Sequence, residues 1–312
     1  LSGFFIAMSL ENARGSFLQR LKLFYTVRCI RIYIPYLASI LIGVAVLFWV
    51  KYYTPNLYHV NTHREFNNRL IVAFDNNNFP NFLKSMLFLK NKEYIGFNFA
   101  YWSLLYEGVF YLIAPFVFSK RKIYFFISLL LLLSGTFIMN LYPPKNIFLQ
   151  YFFEYNFYFA LGFFIYSYKA QILDKFEKKD YKMLLLTASF ILFLIFDTLA
   201  LVKLHFWSSF VSGITVFCLI VMFLKYDFKN TRGISLIKKL GKISYSLYLV
   251  HIPVLIFIYS LLYKATQQLI YYNRLWYITG VLISVLAGWL LYKFVEKPSM
   301  QLISRIKKTK KG

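Results

Sequence analysis

The sequence predicts an all-α fold, a polytopic bundle of transmembrane helices, and three observations carry that prediction. Of its 312 residues, 59% are hydrophobic and only 15% are charged, against roughly 25% charged in a soluble domain. Apolar runs of about twenty residues recur along the chain, each long enough to cross a hydrocarbon core. The basic residues are gathered into alternate connections between those runs.

The opening LSGFFIAMSL is apolar but reaches only about 15 Å as a helix, half of a bilayer core. It has no basic region and no small-residue cleavage site, so it is not a signal peptide. It reads as the tail of a helix that begins upstream. Whole spans are expected at 33–50, 100–118, 123–141, 148–168, 183–202, 206–224, 244–263 and 275–294. That makes eight complete helices besides the partial first one, in a single domain covering 1–312.

Topology follows from the 36 Lys and Arg residues. The connections 11–32, 119–122, 169–182, 225–242 and 293–312 hold 26 of them, and those of the other side hold 10. By the positive-inside rule the richer side is cytoplasmic, and both chain ends lie there. The net charge of +24 is therefore topological. Anionic lipid is the expected partner of this basic margin, and nucleic acid is not.

The long connection 51–99 is expected outside. Its Asn and aromatic residues suit sugar binding or an ordinary polar loop. His59 and His63 stand four apart with no third ligand nearby, so no metal is expected. Cys29 and Cys218 form neither a CxxC nor a disulfide framework. Cys29, between Arg28 and Arg31, has a setting that favours a thiolate, but reads as packing near a helix end. No P-loop, dinucleotide fingerprint or G-x-S-x-G motif is present.

Three stretches carry chemistry. In RLKLFYTVRCIRIYIP, 20–35, Arg20, Arg28 and Arg31 fall near one helical face. Arg28 and Arg31 make a fork for phosphate, or anchors against anionic lipid. In YWSLLYEGVF, 101–110, Ser103 and Glu107 continue to Tyr111 as a polar stripe. Lipid offers such a stripe no partner, so it faces other helices or a cavity. Glu107 is expected roughly 10 Å below the outer boundary, either as a structural hydrogen bond or as a functional carboxylate. In LGKISYSLYLVHIPV, 240–254, Ser244, Tyr248 and His251 share a face just before Pro253. His251 is either a satisfied packing residue or a group that orients or relays a proton.

The order LSGFFIA, then Arg28-x-x-Arg31, then WSLLYEGVFYLIAPF, then GKISYSLYLVHIP, then YKFVEKPS resembles the acyltransferase-3 family of bacterial integral-membrane O-acyltransferases. The likeness runs from residue 1 to about 300, and FALGFFIY at 159–166 also fits it. The resemblance implies ten helices, a cytoplasmic acyl-CoA donor, most simply acetyl-CoA, and a surface-glycan acceptor on the external side. The implied location is the bacterial cytoplasmic membrane. It assigns acyl-CoA binding to Arg28 and Arg31, catalysis to Glu107, and supporting roles to Trp102, Ser103, Tyr111, Tyr248 and His251. The family's first helix carries a catalytic histidine that has no counterpart here, since that helix would lie before Leu1; His251 is not its equivalent. The alternatives are a proton-coupled transporter or flippase for lipid-linked sugars, with Glu107 and His251 as relay groups, or a structural subunit of a glycan-export complex. Transporters often show inverted repeats, and none is visible in this sequence.

Overall fold

The computed structural model describes residues 2–13, 15–59, 78–88, 98–141, 147–177, 181–201, 205–226, 232–267 and 274–309. Every regular element among them is helical. In chain order they are α1 (Ser2–Glu11), α2 (Phe17–Tyr53), α3 (Phe79–Met86), α4 (Trp102–Val117), α5 (Arg121–Leu141) and α6 (Ile147–Ser167). There follow α7 (Lys169–Glu177), α8 (Lys182–Leu201), α9 (His205–Lys225), α10 (Arg232–Thr266), α11 (Arg274–Leu291) and α12 (Lys297–Thr309).

A helix meets every predicted span. The stretches Phe17–Tyr53, Trp207–Lys225, Gly233–Thr266 and Leu275–Lys308 are each long and apolar enough to cross a membrane. Their outward side chains are apolar, as at Leu41, 66% exposed, and Leu282, 64% exposed. Exposure of this kind is stable against lipid, not water, and the chain is a multi-pass membrane protein. Helices α2 and α10 begin far upstream of their apolar runs. Leu, Lys and Arg are good helix formers, and no breaker stands between basic stretch and span.

The contacts group the chain into two units, each built from two segments. The first comprises Leu1–Phe24 and Val109–Thr231. In it α6 packs on both α1 and α5, and α8 pairs with α9. Close approach of α1 to α6 depends on glycine. A Cβ on Gly3 would stand 2.0 Å from the Phe159 carbonyl oxygen, and one on Gly162 would stand 2.7 Å from the Phe4 nitrogen. Helices α5 and α6 are joined by a buried polar chain. Tyr124 donates to Asn156 Oδ1 at 2.6 Å, Asn156 Nδ2 donates to Ser128 Oγ at 2.8 Å, and Ser128 donates to the Tyr124 carbonyl at 2.7 Å. Lipid cannot satisfy such groups, so they satisfy one another.

The second unit comprises Tyr25–Gly108 and Arg232–Gly312. Its centre is Tyr36, Ile40, Tyr101, Leu104, Leu249, Val250 and Leu291. Here prolines decide the polar contacts. Pro253 lies inside α10 and has no N–H for the carbonyl four residues back, that of Leu249. Asn98 Nδ2 donates to that carbonyl at 2.6 Å. Pro298 removes a donor in the same way, and the preceding turn, Tyr292–Glu296, is a π-helix, in which Lys297 N–H reaches the Tyr292 carbonyl.

The expectation that 51–99 is an external loop requires correction for its described part. Helix α3 starts at Asn78, whose side chain accepts from Asn81 N–H, with Pro80 in the first turn. Its polar Asn81 and Ser85 are buried, whereas Phe79, Leu83 and Leu87 are exposed, Lys84 sharing the outward side. This is the pattern of a helix with lipid outside and protein inside. Its last carbonyls, which a helix leaves without internal partners, are held by α2: Tyr36 donates to Ser85 O at 2.5 Å and Tyr33 to Met86 O. Tyr33 precedes Tyr53, the far end of α2, by twenty residues, about 30 Å of helix. The segment dips deep into the bundle. An eight-residue helix is too short to register as a span, which is why the sequence pattern missed it. His63 lies outside the described residues, so the His59–His63 pair is not placed.

Two outcomes are expected from thermal unfolding of purified protein in detergent. Gly162→Ala should destabilise by about 1–3 kcal/mol, the usual cost of overpacking; an unchanged midpoint would contradict the seating of α1 on α6. Asn98→Leu should cost about 1–3 kcal/mol by stranding the Leu249 carbonyl. Adding Pro253→Ala restores that carbonyl's own helical donor and should recover part of the loss; a double variant no better than Asn98→Leu alone would contradict the capping role.

Candidate functional site

Helix α4 does not begin at a membrane boundary. The 3-10 turn Phe99–Tyr101 leads into it, and this turn is pinned at mid-depth. Ser39 donates to the Tyr36 carbonyl at 2.7 Å, so the buried 2.5 Å contact between Tyr101 and Ser39 has Tyr101 donating. Ser39 precedes Tyr53 by fourteen residues, about 21 Å. Two further contacts fix the start of α4 against α10. Tyr248 donates its one proton to the Ala100 carbonyl, so Ser103 donates to Tyr248 Oη, at 2.6 Å.

Glu107 lies one turn beyond Ser103 on the same face and is half-buried. Its neighbour Gly108 fixes its level: a Cβ there would stand 4.0 Å from the ring of Phe88. Phe88 in turn stacks against Tyr36 and Tyr33, with ring centroids 4.6 and 5.7 Å away. Glu107 therefore stands near the level of Tyr33 and Tyr36, not some 10 Å below the outer boundary as its sequence position suggested. The difference arises because residues 98–101 start α4 inside the bundle.

Tyr33 follows Arg31 by two residues and Arg28 by five, on the continuous helix α2, so carboxylate and arginine pair occupy one end of this unit. The arginines are not equivalent. Arg28 is buried at 8% exposure, whereas Arg31 is exposed. Arg20 falls in the other unit. Cys29 between them is exposed, not packed.

On α10 the expected face of three splits. Ser244 is exposed and bonds back to the Gly241 carbonyl at 2.9 Å. Tyr248 holds Ser103, and His251 is half-buried with its ring 6.0 Å from that of Tyr248. His251 Nδ1 faces the carbonyls of Tyr248 and Leu247 at 2.8 and 3.3 Å. A carbonyl only accepts, so Nδ1 carries the proton and Nε2 of the neutral ring keeps its lone pair. Trp102 packs on the central cluster, edge-on to Tyr106. Tyr111 is buried in the other unit.

Sequence reasoning passed over Ser246 and Glu296. Both are buried, and Ser246 donates to the Glu296 carboxylate at 2.5 Å. The charge of Arg31 also acts on that carboxylate. The available signal was a glutamate two residues before Pro298 at the end of the last apolar run. Among the described residues no group of His, Cys, Asp and Glu could hold a metal.

A family model described as an acyltransferase domain, Acyl_transf_3, matches residues 1–293. No curated protein and no solved structure matches the chain.

The Ser103–Tyr248 contact couples α4 to α10. A double-mutant cycle of Ser103→Ala and Tyr248→Phe should show a coupling of about 0.5–1.5 kcal/mol in thermal stability, the net worth of one hydrogen bond. Additive effects would mean that other contacts set the position of Glu107.

Proposed function

Because the chain belongs to the acyltransferase-3 family and is a membrane acyltransferase, we propose that it moves an acetyl group from cytoplasmic acetyl-CoA to a hydroxyl of a surface or lipid-linked polysaccharide. The proposed setting is the bacterial cytoplasmic membrane, with the basic end of the bundle and the C-terminus inside. One observation carries this reading beyond the family: Glu107 shares its level in the unit with the arginine end of α2, and Ser103 and Tyr248 anchor it from one turn away.

Arg28 and Arg31 bind the phosphates of the donor by charge-assisted hydrogen bonds, which places the thioester near Glu107. Arg28 is buried and holds a fixed position; Arg31, exposed beside Glu296, meets the incoming anion. A sugar hydroxyl is a weak nucleophile at neutral pH, so a base takes its proton as its oxygen attacks the thioester carbonyl. The tetrahedral adduct collapses with loss of CoA thiolate, which regains a proton to leave as the free thiol. The family resemblance assigns the base to a histidine. Glu107 orients that imidazole and stabilises its protonated form, as a triad carboxylate does.

Two sets of variants test this in membrane vesicles given radiolabelled acetyl-CoA, with label counted in polysaccharide. Glu107→Gln keeps shape and hydrogen-bonding capacity but loses charge, so turnover should fall by about two to four orders of magnitude, with donor affinity little changed. Wild-type transfer by this variant would reduce Glu107 to a helix–helix contact. Arg28→Ala or Arg31→Ala should weaken acetyl-CoA binding by about 1.5–3 kcal/mol, and lysine should rescue poorly because it lacks the bidentate fork. Unchanged affinity in both would leave these residues as lipid anchors. Proton-coupled sugar flux without any acyl product would favour a transporter.

A further inference from the structure

Phe88 stands out among the described residues. It adopts φ 57°, a left-handed conformation that is a true outlier for a bulky side chain. Gly or Asn usually occupies such a position after a helix. A strained aromatic persists only where its surroundings over-determine it, and such residues gather at functional sites. The surroundings here are specific. The carbonyls of Ser85 and Met86, just before Phe88, are held by Tyr36 and Tyr33. Phe88 N–H donates to the Ser85 carbonyl at 3.0 Å. The ring then lies against Tyr36 and Tyr33 on one side and over Gly108 on another.

Gly108 follows Glu107 directly and has no side chain, so the space on that face of α4 is filled by the edge of Phe88. An L-residue other than glycine at 108 would bring its Cβ to 4.0 Å from that ring, ordinary contact. The pairing of a bare backbone with a ring fed in from α3 leaves room for a small group beside Glu107 and closes the space beyond it.

We propose that Phe88 is the wall that limits acyl-chain length, so that the enzyme accepts acetyl and excludes longer acyl groups. This rests on the acyl-CoA reading above. The ring meets the terminal carbon of the acyl group while Gly108 lets the thioester approach α4. Each added methylene then collides with a ring whose backbone is clamped at two carbonyls and cannot withdraw.

The test compares acetyl-CoA with butyryl-CoA in vesicles carrying the full chain, label being counted in polysaccharide. Wild type should favour acetyl by at least about a hundredfold in kcat/KM, since one methylene is worth roughly ten- to two-hundredfold in a tight apolar site. Phe88→Gly suits the positive φ and so should remain folded. It should shrink the preference at least about tenfold, mainly by gaining butyryl transfer. Phe88→Leu, which keeps an apolar group, should fall between, and monodispersity with an unfolding midpoint near that of wild type checks the fold of each variant. An unchanged ratio in both folded variants, or equal use of the two donors by wild type, would make the ring simple packing. Absence of transfer from either donor by wild type would instead overturn the acyl-CoA reading, and this inference with it.

Discussion

The carbonyl of Leu249 organises the second unit. In water, a helix carbonyl orphaned by a proline is solvated at little cost. Within a membrane bundle it must find a donor in the protein, or cost several kcal/mol. Pro253 creates this orphan, and Asn98 answers it at 2.6 Å. Asn98 can reach Leu249 only if residues 98–101 lie inside the bundle. Everything at the start of α4 follows, including the Tyr101–Ser39 and Ser103–Tyr248 contacts and the level of Glu107.

The same constraint explains α3. A short helix entering from one side ends with bare carbonyls, and in this chain Tyr33 and Tyr36 supply the donors. Those tyrosines lie just beyond the arginine pair on α2. The satisfaction of backbone groups thus gathers Phe88, Gly108 and Glu107 close to the phosphate-binding end. A site where an anionic donor enters from one face and an acceptor hydroxyl from the other needs such a segment, because a bundle of uniform spans offers no backbone at mid-depth.

Polar residues in the first unit do a different job. The Tyr124–Asn156–Ser128 chain is closed on itself and buried. Gly3 and Gly162 bring α1 and α6 to van der Waals contact. These are packing devices, and none of the proposed chemistry uses them. A polar group in a membrane helix is therefore read by whether its partners saturate it. Glu107 stands among hydrogen-bonded neighbours that position its helix, which separates it from that chain.

The sequence by itself determined the helical class, the spans, the segregation of basic charge and the family to which the chain belongs. Each of these depends on composition and local period, which survive without knowledge of neighbours. It also picked out Arg28, Arg31, Ser103, Glu107, Tyr248 and His251 as groups that lipid would not tolerate unpartnered. It did not show that Arg28 is buried and Arg31 exposed, that Ser244 bonds back to its own turn, or that Ser246 meets Glu296 fifty residues later. Nor did it show that 79–88 enters the bundle and resets the depth of Glu107. Those outcomes were decided by tertiary structure, because an orphaned carbonyl or a lone serine takes whichever partner the packed helices bring within 3 Å. That pairing has no period along the chain.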